Sequence, residues 1–120
     1  MKRILICDDD DLVARTISFK LTEDKLGEVM VARDGLQALK LLREQEFDLV
    51  ITDIHMPYHN GEEILNLIRV EQKKNTPIVM ISSDGEEEVI ALAKKLGVNE
   101  FITKPVKPKA VAKMVKRLLH

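Results

Sequence analysis

Ile4 to Arg15 reads ILICDDDDLVAR: a short apolar run, four consecutive aspartates and the start of a helix-like pattern. Adjacent carboxylates repel and resist ionisation unless a cation, a helix N-terminus or water relieves them. Two readings of the run are open. The acids form a solvated turn that caps a helix, a common use of aspartate, or at least two of them point into a cleft at a strand end and hold a divalent cation as hard oxygen ligands. The choice rests on what the rest of the chain brings to the same place.

Working outward, short apolar runs recur as RILIC (3–7), EVMVA (28–32), DLVIT (48–52), PIVMI (77–81) and EFIT (100–103), each too short for a helix and rich in Ile and Val. They predict five buried strands. Helical spacing fills the intervals: Val13, Ile17 and Leu21; Leu36, Leu39 and Leu42; Ile64, Leu67 and Ile68; Val89, Leu92, Ala93 and Leu96; Val111, Met114, Val115 and Leu118. Five helices follow. Gly27 and Gly97 sit where helices are expected to end, and Asp34 and Asp84 where they are expected to begin. Pro77 opens a strand at a position that tolerates its missing N–H. Strict alternation of apolar strands with helices implies an α/β fold, a parallel sheet covered on both faces, because parallel strands need right-handed crossovers.

A chain of 120 residues suits one domain, 1–120, around one sheet. A net charge of −1 gives no global attraction to nucleic acid or to an anionic membrane, so partners have to be read from local patches. No apolar segment is long enough to span a bilayer, and the charged start MKRILICDDD does not read as a secretory signal. The single cysteine, Cys7, lies inside the first apolar run and reads as a buried small hydrophobe, which fits a reducing, cytoplasmic compartment.

In open parallel sheets, ligands bind outside the carboxyl ends of the strands, where the strand order reverses. At those ends the sequence puts Asp8 and Asp9, Thr52 and Asp53, Ser82 and Ser83, and Thr103 and Lys104. Each alone is ordinary. Together, three acids, a hydroxyl and an amine converge on the edge expected to carry a site. Carboxylates with backbone and water oxygens suit octahedral Mg2+ or Mn2+. A lysine beside such a metal suggests an anionic guest, and a phosphoryl group takes metal, ammonium and hydroxyl donors together. Asp53, at the end of a central strand, is the best-placed nucleophile, since a carboxylate can form an acyl phosphate.

These motifs resemble, over essentially the whole chain, the receiver domain of two-component response regulators, and in particular its single-domain, chemotaxis-type members. The resemblance rests on ILICDDDD with Asp8 and Asp9, on DLVITDIHMPYHNG with Asp53, Met56-Pro57 and Gly61, on PIVMISS with Ser82, and on FITKP with Lys104 and Pro105. It implies a flavodoxin-like doubly wound sheet of order 2-1-3-4-5. It also implies that Asp53 is phosphorylated by a histidine kinase or a histidine phosphotransfer protein. Asp9 and Asp53 would bind Mg2+ directly, with the His55 backbone carbonyl, and Asp8 mainly through water. Ser82 and Lys104 would contact the phosphoryl group, Ser82 and Phe101 would form a coupled switch, and the Lys104–Pro105 bond would be cis. Asp10 and Asp11 then read as first-turn residues near the helix dipole. The implied function is a phosphorylation-controlled binding module that catalyses only its own phosphoryl transfer and slow hydrolysis, with its output through an unknown partner or a C-terminal output domain beyond His120.

Three positions depart from the commonest family pattern: Ser82 for threonine, Asn60 for aspartate before Gly61, and Phe101 for tyrosine. His55 and Asp84 occupy places that tune dephosphorylation in the family, and Asp84 also suits a helix cap. Glu86, Glu87 and Glu88 suit a first helical turn. His59 and His120 have no partners at zinc spacing. Lys107, Lys109, Lys113, Lys116 and Arg117 read as a solvated face or a docking patch for an acidic partner. The main rival is a haloacid-dehalogenase-type, Mg2+-dependent phosphohydrolase with Asp8 as nucleophile and Asp10 as acid, but Leu12 stands where its motif has threonine and TDIHMP goes unexplained. An EF-hand lacks its central glycine and final glutamate in DDDDLVARTISF. A scaffold that is never phosphorylated leaves a full set of reactive residues without a role.

Overall fold

Consecutive residues of a strand point to opposite faces, so a strand that is apolar throughout needs cover on both sides. The computed structural model, which describes residues 1–56, 58, 60–83 and 87–119 with Val89 as backbone alone, supplies that cover. The order is β1 (Arg3–Cys7), α1 (Asp11–Glu23), β2 (Glu28–Ala32), α2 (Gly35–Glu44), β3 (Leu49–Asp53), α3 (Gly61–Asn66), β4 (Ile78–Ser82), α4 (Glu87–Lys95), β5 (Glu100–Thr103) and α5 (Pro108–Leu118). The expectations placed on Pro57, His59, Asp84, Glu86 and His120 lie outside the described residues.

The strands form one parallel sheet in the order β2-β1-β3-β4-β5. Ile4, Ile6, Leu49, Ile51, Val79 and Ile81 point to one face, where they pack with Ile17 and Leu21 of α1 and Val111 and Val115 of α5. Leu5, Cys7, Val50, Ile78 and Met80 point to the other, against Ala38 and Leu42 of α2, Ile64 and Leu65 of α3, and Ala93 of α4. The chain moves outward from β1 to β2 and then back across β1 to β3. The strand order therefore reverses between β1 and β3, and the crevice lies at their carboxyl ends.

Local boundaries show where tertiary packing overrides local signals. Asp34 caps α2 by accepting the Gln37 N–H at 2.7 Å, as its position predicts. Gly97, with φ 104°, closes α4: its N–H donates to the Lys94 carbonyl and the Val98 N–H to the Ala93 carbonyl, the paired bonds of a left-handed helix stop. Gly27 does not end α1. Lys25, at φ 55°, takes that place, with its N–H bonded to the Thr22 carbonyl and the Leu26 N–H to the Leu21 carbonyl. Gly27 is small for another reason, since a Cβ there would lie 2.8 Å from the Lys2 carbonyl oxygen. The third helical pattern holds α-geometry only to Asn66 and continues as a π-helical turn, Leu67–Glu71. In α2, Leu36 marks the period but faces solvent, and the buried side runs through Gly35, Ala38 and Leu42.

Candidate functional site

The carboxyl end of β1 passes directly into the acidic run. Asp8 is fully buried, its N–H bonded to the Ala32 carbonyl of β2, and its Oδ1 accepts the Asp10 N–H at 2.8 Å. Asp10 is the N-cap of α1: its Oδ1 accepts the N–H groups of Leu12 at 3.0 Å and Val13 at 3.4 Å. This refines the sequence expectation, since only Asp11 lies inside the first turn. The same four residues thus supply a cap from Asp10 and two members, Asp8 and Asp9, of an acidic cluster.

Asp53 and Ser82 close β3 and β4 as their last residues, so both backbones are held by the sheet. Asp53 is buried. Its Oδ2 lies 2.9 Å from Lys104 Nζ, and its Oδ1 accepts the His55 backbone N–H at 3.1 Å. The Thr52 hydroxyl donates to the Asp53 carbonyl at 3.0 Å, a contact that no motif predicts. Lys104 follows β5, its backbone N–H donating to the Ser82 carbonyl at 2.8 Å, and the Lys104–Pro105 peptide is cis. β3, β4 and β5 thus deliver one carboxylate, one hydroxyl and one ammonium to neighbouring strand ends.

Electrostatics follow from this crowding. Burial pushes the Asp8 carboxyl up to about 6; the Asp10 N–H and Lys104 oppose the rise, while Asp53 and Asp9 add to it. For Lys104, partial burial pulls the pKa down, but the hydrogen bond to Asp53 and the fields of Asp53, Asp8 and Asp10 outweigh it and the net direction is up. Burial also raises the Cys7 thiol, which leaves it an inert core residue.

Asp8, Asp9 and Asp53 each offer a carboxylate oxygen, and these oxygens lie within 4.8 Å of one another. Asp8 Oδ2 is buried and has no hydrogen-bond partner, which suits a hard-oxygen donor to a divalent cation, and the exposed Asp9 opens the cluster to solvent. The donor set fits a metal. Ser82 Oγ is likewise buried and unpartnered, and such atoms are costly unless a further group satisfies them.

Asp8, Asp9, Asp53 and Lys104 are brought together, with Ser82 on the adjoining strand end. His55 reaches the site through its backbone, while Phe101 does not reach it. Phe101 sits opposite Met80 in the β4–β5 register, half-buried against the core, with Lys94 Nζ 5.8 Å from its ring centre. Gly61 enters the sequence motif without an assigned structural role. It is the first residue of α3, packed against the end of β3, and Asn60 caps the helix by accepting the Glu63 N–H at 3.1 Å. The sequence marks Asn60 only as a turn residue in place of aspartate, and neither its cap nor the close approach of Gly61 was read from it.

Comparison with known proteins agrees with this arrangement. The family model for the response regulator receiver domain matches residues 4–116. Chemotaxis protein CheY-3 of Vibrio cholerae is 36% identical over 104 residues, which cover 86% of this chain and 80% of that protein. The CAI-1 autoinducer sensor kinase/phosphatase CqsS of V. cholerae is 40% identical over 106 residues, 87% of this chain but only 15% of that protein, so the likeness is to one segment of it. Among solved structures, the receiver domain of the Francisella response regulator 1452 superimposes with a TM-score of 0.89 at 30% identity, covering 99% of this chain and 97% of that one.

Proposed function

This chain belongs to the response regulator receiver family of two-component signalling, and on that premise we propose that Asp53 accepts a phosphoryl group from a histidine kinase or histidine phosphotransfer protein and so switches the chain's affinity for an output partner. The observation that carries the reading is the buried Asp53 carboxylate, 2.9 Å from Lys104 and clustered with Asp8 and Asp9. An Asp53 oxygen attacks phosphorus, the P–N bond of the donor breaks, and the departing imidazole takes up a proton. Lys104 moves from the Asp53 carboxylate to a phosphoryl oxygen, and the unpartnered Ser82 hydroxyl donates to another. Asp9, Asp53 and the His55 carbonyl would hold Mg2+ or Mn2+ directly, with Asp8 mainly through water. Such an ion supplies charge neutralisation for the approach of an anionic donor to a carboxylate.

Movement of Ser82 toward the phosphoryl group and a linked change in Phe101 burial form the switch. Phe101 lacks a hydroxyl, so the change is read through the ring's packing. Chemistry of this kind is stoichiometric self-modification with slow hydrolysis, not turnover of a free substrate. No described helix is long and apolar enough to cross a membrane, and a cytoplasmic site of action is part of this proposal. A hydrolase using Asp8 as nucleophile is disfavoured because, among the described residues, the Lys104 ammonium pairs with Asp53 and not with Asp8, and Leu12 stands where that family's motif has threonine.

Intact mass after incubation with acetyl phosphate, with and without Mg2+, tests the reading. A single metal-dependent phosphoryl adduct is expected in the wild type, none in Asp53→Asn, and less in Asp8→Asn. Rapid phosphate release lost only in Asp8→Asn, or the absence of any adduct, would overturn it.

A further inference from the structure

The residue before Asp53 breaks the apolar pattern of β3. Alternation puts Thr52 on the sheet face of Val50, in register beside Cys7 of β1 and Met80 of β4. Thr52 is fully buried. A hydroxyl in such a place is costly unless it is hydrogen-bonded, and this one is bonded on both sides. Its O–H donates to the Asp53 carbonyl at 3.0 Å, and the Cys7 thiol, kept protonated by burial, bonds to its oxygen.

The place of that carbonyl gives the bond its consequence. The β1–β3 pairing ends at Cys7 and Thr52, so the Asp53 carbonyl stands beyond the last paired residue, where the Thr52 hydroxyl supplies a donor. The other polar atom of the same peptide, the Ile54 N–H, donates to the Ile81 carbonyl at 3.1 Å. The Asp53–Ile54 peptide is thereby held at both ends. Gly61 closes on it from α3, since a Cβ there would lie 2.7 Å from the same carbonyl oxygen. The plane of this peptide sets the direction in which the chain leaves β3, and hence where the next N–H falls. That N–H, of His55, holds Asp53 Oδ1 at 3.1 Å and leaves Oδ2 to Lys104 at 2.9 Å.

We propose that Thr52 is a positioning residue for phosphoryl transfer: its buried hydroxyl, backed by Cys7, fixes the Asp53–Ile54 peptide so that the His55 N–H orients the acceptor carboxylate. The inference rests on Asp53 being the phosphoryl acceptor and adds a residue that reaches the acceptor's backbone and not its carboxylate. Thr52 works from within the core, on the sheet face opposite to the Asp53 side chain. Its effect is on rate, because a reacting group held slightly out of line loses much of the advantage of being held at all.

The test compares Thr52→Val, which keeps the shape and removes the hydroxyl, with Thr52→Ser, which keeps the hydroxyl and removes the methyl. The initial rate of adduct formation with acetyl phosphate at saturating Mg2+ is expected to fall about tenfold in Thr52→Val and to stay within about twofold of wild type in Thr52→Ser. Ile51→Val removes a methyl from the same strand on the other face and is expected to leave the rate within about twofold. Thermal unfolding corrects each rate for the folded fraction, and Thr52→Ala replaces the valine variant if that one unfolds. Hydrogen exchange in the metal-free, unphosphorylated chain gives a second readout: the His55 amide is expected to exchange about tenfold faster in Thr52→Val, and at the wild-type rate in Thr52→Ser and Ile51→Val. A wild-type rate in Thr52→Val, equal losses in the serine and valine variants, equal slowing by Ile51→Val, or an unchanged His55 exchange rate would overturn the inference. If the wild type forms no adduct, the acceptor role of Asp53 falls, and His55 exchange alone decides whether Thr52 positions this loop.

Discussion

Gly61 stands against the backbone of Asp53: a Cβ built on it would lie 2.7 Å from the Asp53 carbonyl oxygen and 3.2 Å from Ile54 Cα. The Gly61 N–H also donates to the Ile54 carbonyl at 2.9 Å, so the start of α3 is docked onto the end of β3. These crowded atoms are backbone and cannot rotate aside. Gly61→Ala is expected to cost about 1–3 kcal/mol, as overpacking does, seen as a lower urea midpoint at unchanged slope. It is also expected to slow adduct formation at Asp53, because relief of the clash displaces the end of β3 that carries this carboxylate.

Asp8 makes stability depend on pH in a defined direction. Its carboxyl titrates near 3.8 when unfolded and at about 6 when folded. The folded state holds the proton more tightly, so Asp8 favours folding below about pH 4, and this contribution is lost as pH rises through about 6. At pH 7 the buried charge opposes folding by on the order of 3 kcal/mol. Asp8→Asn is therefore expected to raise the urea midpoint at pH 7 and to change it little near pH 4. Added Mg2+ is expected to stabilise the wild type at pH 7 more than the variant, since a ligand that binds only the folded state stabilises by mass action.

Lys104 supplies the one ammonium that contacts Asp53 among the described residues. Lys104→Met keeps the chain length and the backbone bond to Ser82 while removing the charge. The initial rate of adduct formation with acetyl phosphate, followed by mass, is expected to fall by about 10²-fold, the scale of a lost preorganised donor.

Lys25 occupies a left-handed backbone at φ 55° to end α1, a conformation that costs a side chain about 1–2 kcal/mol. Lys25→Gly relieves that cost against a larger unfolded-state entropy, and a net gain of up to about 1 kcal/mol is expected in thermal unfolding. Gly27→Ala, two residues on, is expected to destabilise, because its Cβ would meet the Lys2 carbonyl at 2.8 Å.

What was legible in the sequence follows from local periodicity. RILIC, EVMVA and EFIT occupy their strands without a shift, and DLVIT and PIVMI moved by one residue, which made Asp53 and Ser82 the last residues of β3 and β4 rather than residues beyond them. The strand order came with the family resemblance, since runs of near-identical composition do not say which neighbours pair. The converging acids, hydroxyl and lysine were legible because the sheet's carboxyl edge collects the last residue of each strand or the one that follows it, whatever the order.

By itself the sequence determined the βα alternation and which acids, hydroxyl and lysine stand at the carboxyl edge of the sheet, because these depend on spacings of two and of about 3.6 residues that any short window contains. Tertiary structure alone decided that Lys104 meets Asp53 across 51 positions of sequence, and that Asp8 is buried with an oxygen unpartnered. It also decided that Gly27 and Gly61 are small because distant backbone passes close to them, and that Leu36 faces water while Ala38 faces the core. Each of these turns on how closely segments remote in sequence approach one another. That distance is set by the packing of both sheet faces at once, and no local conformational preference encodes it.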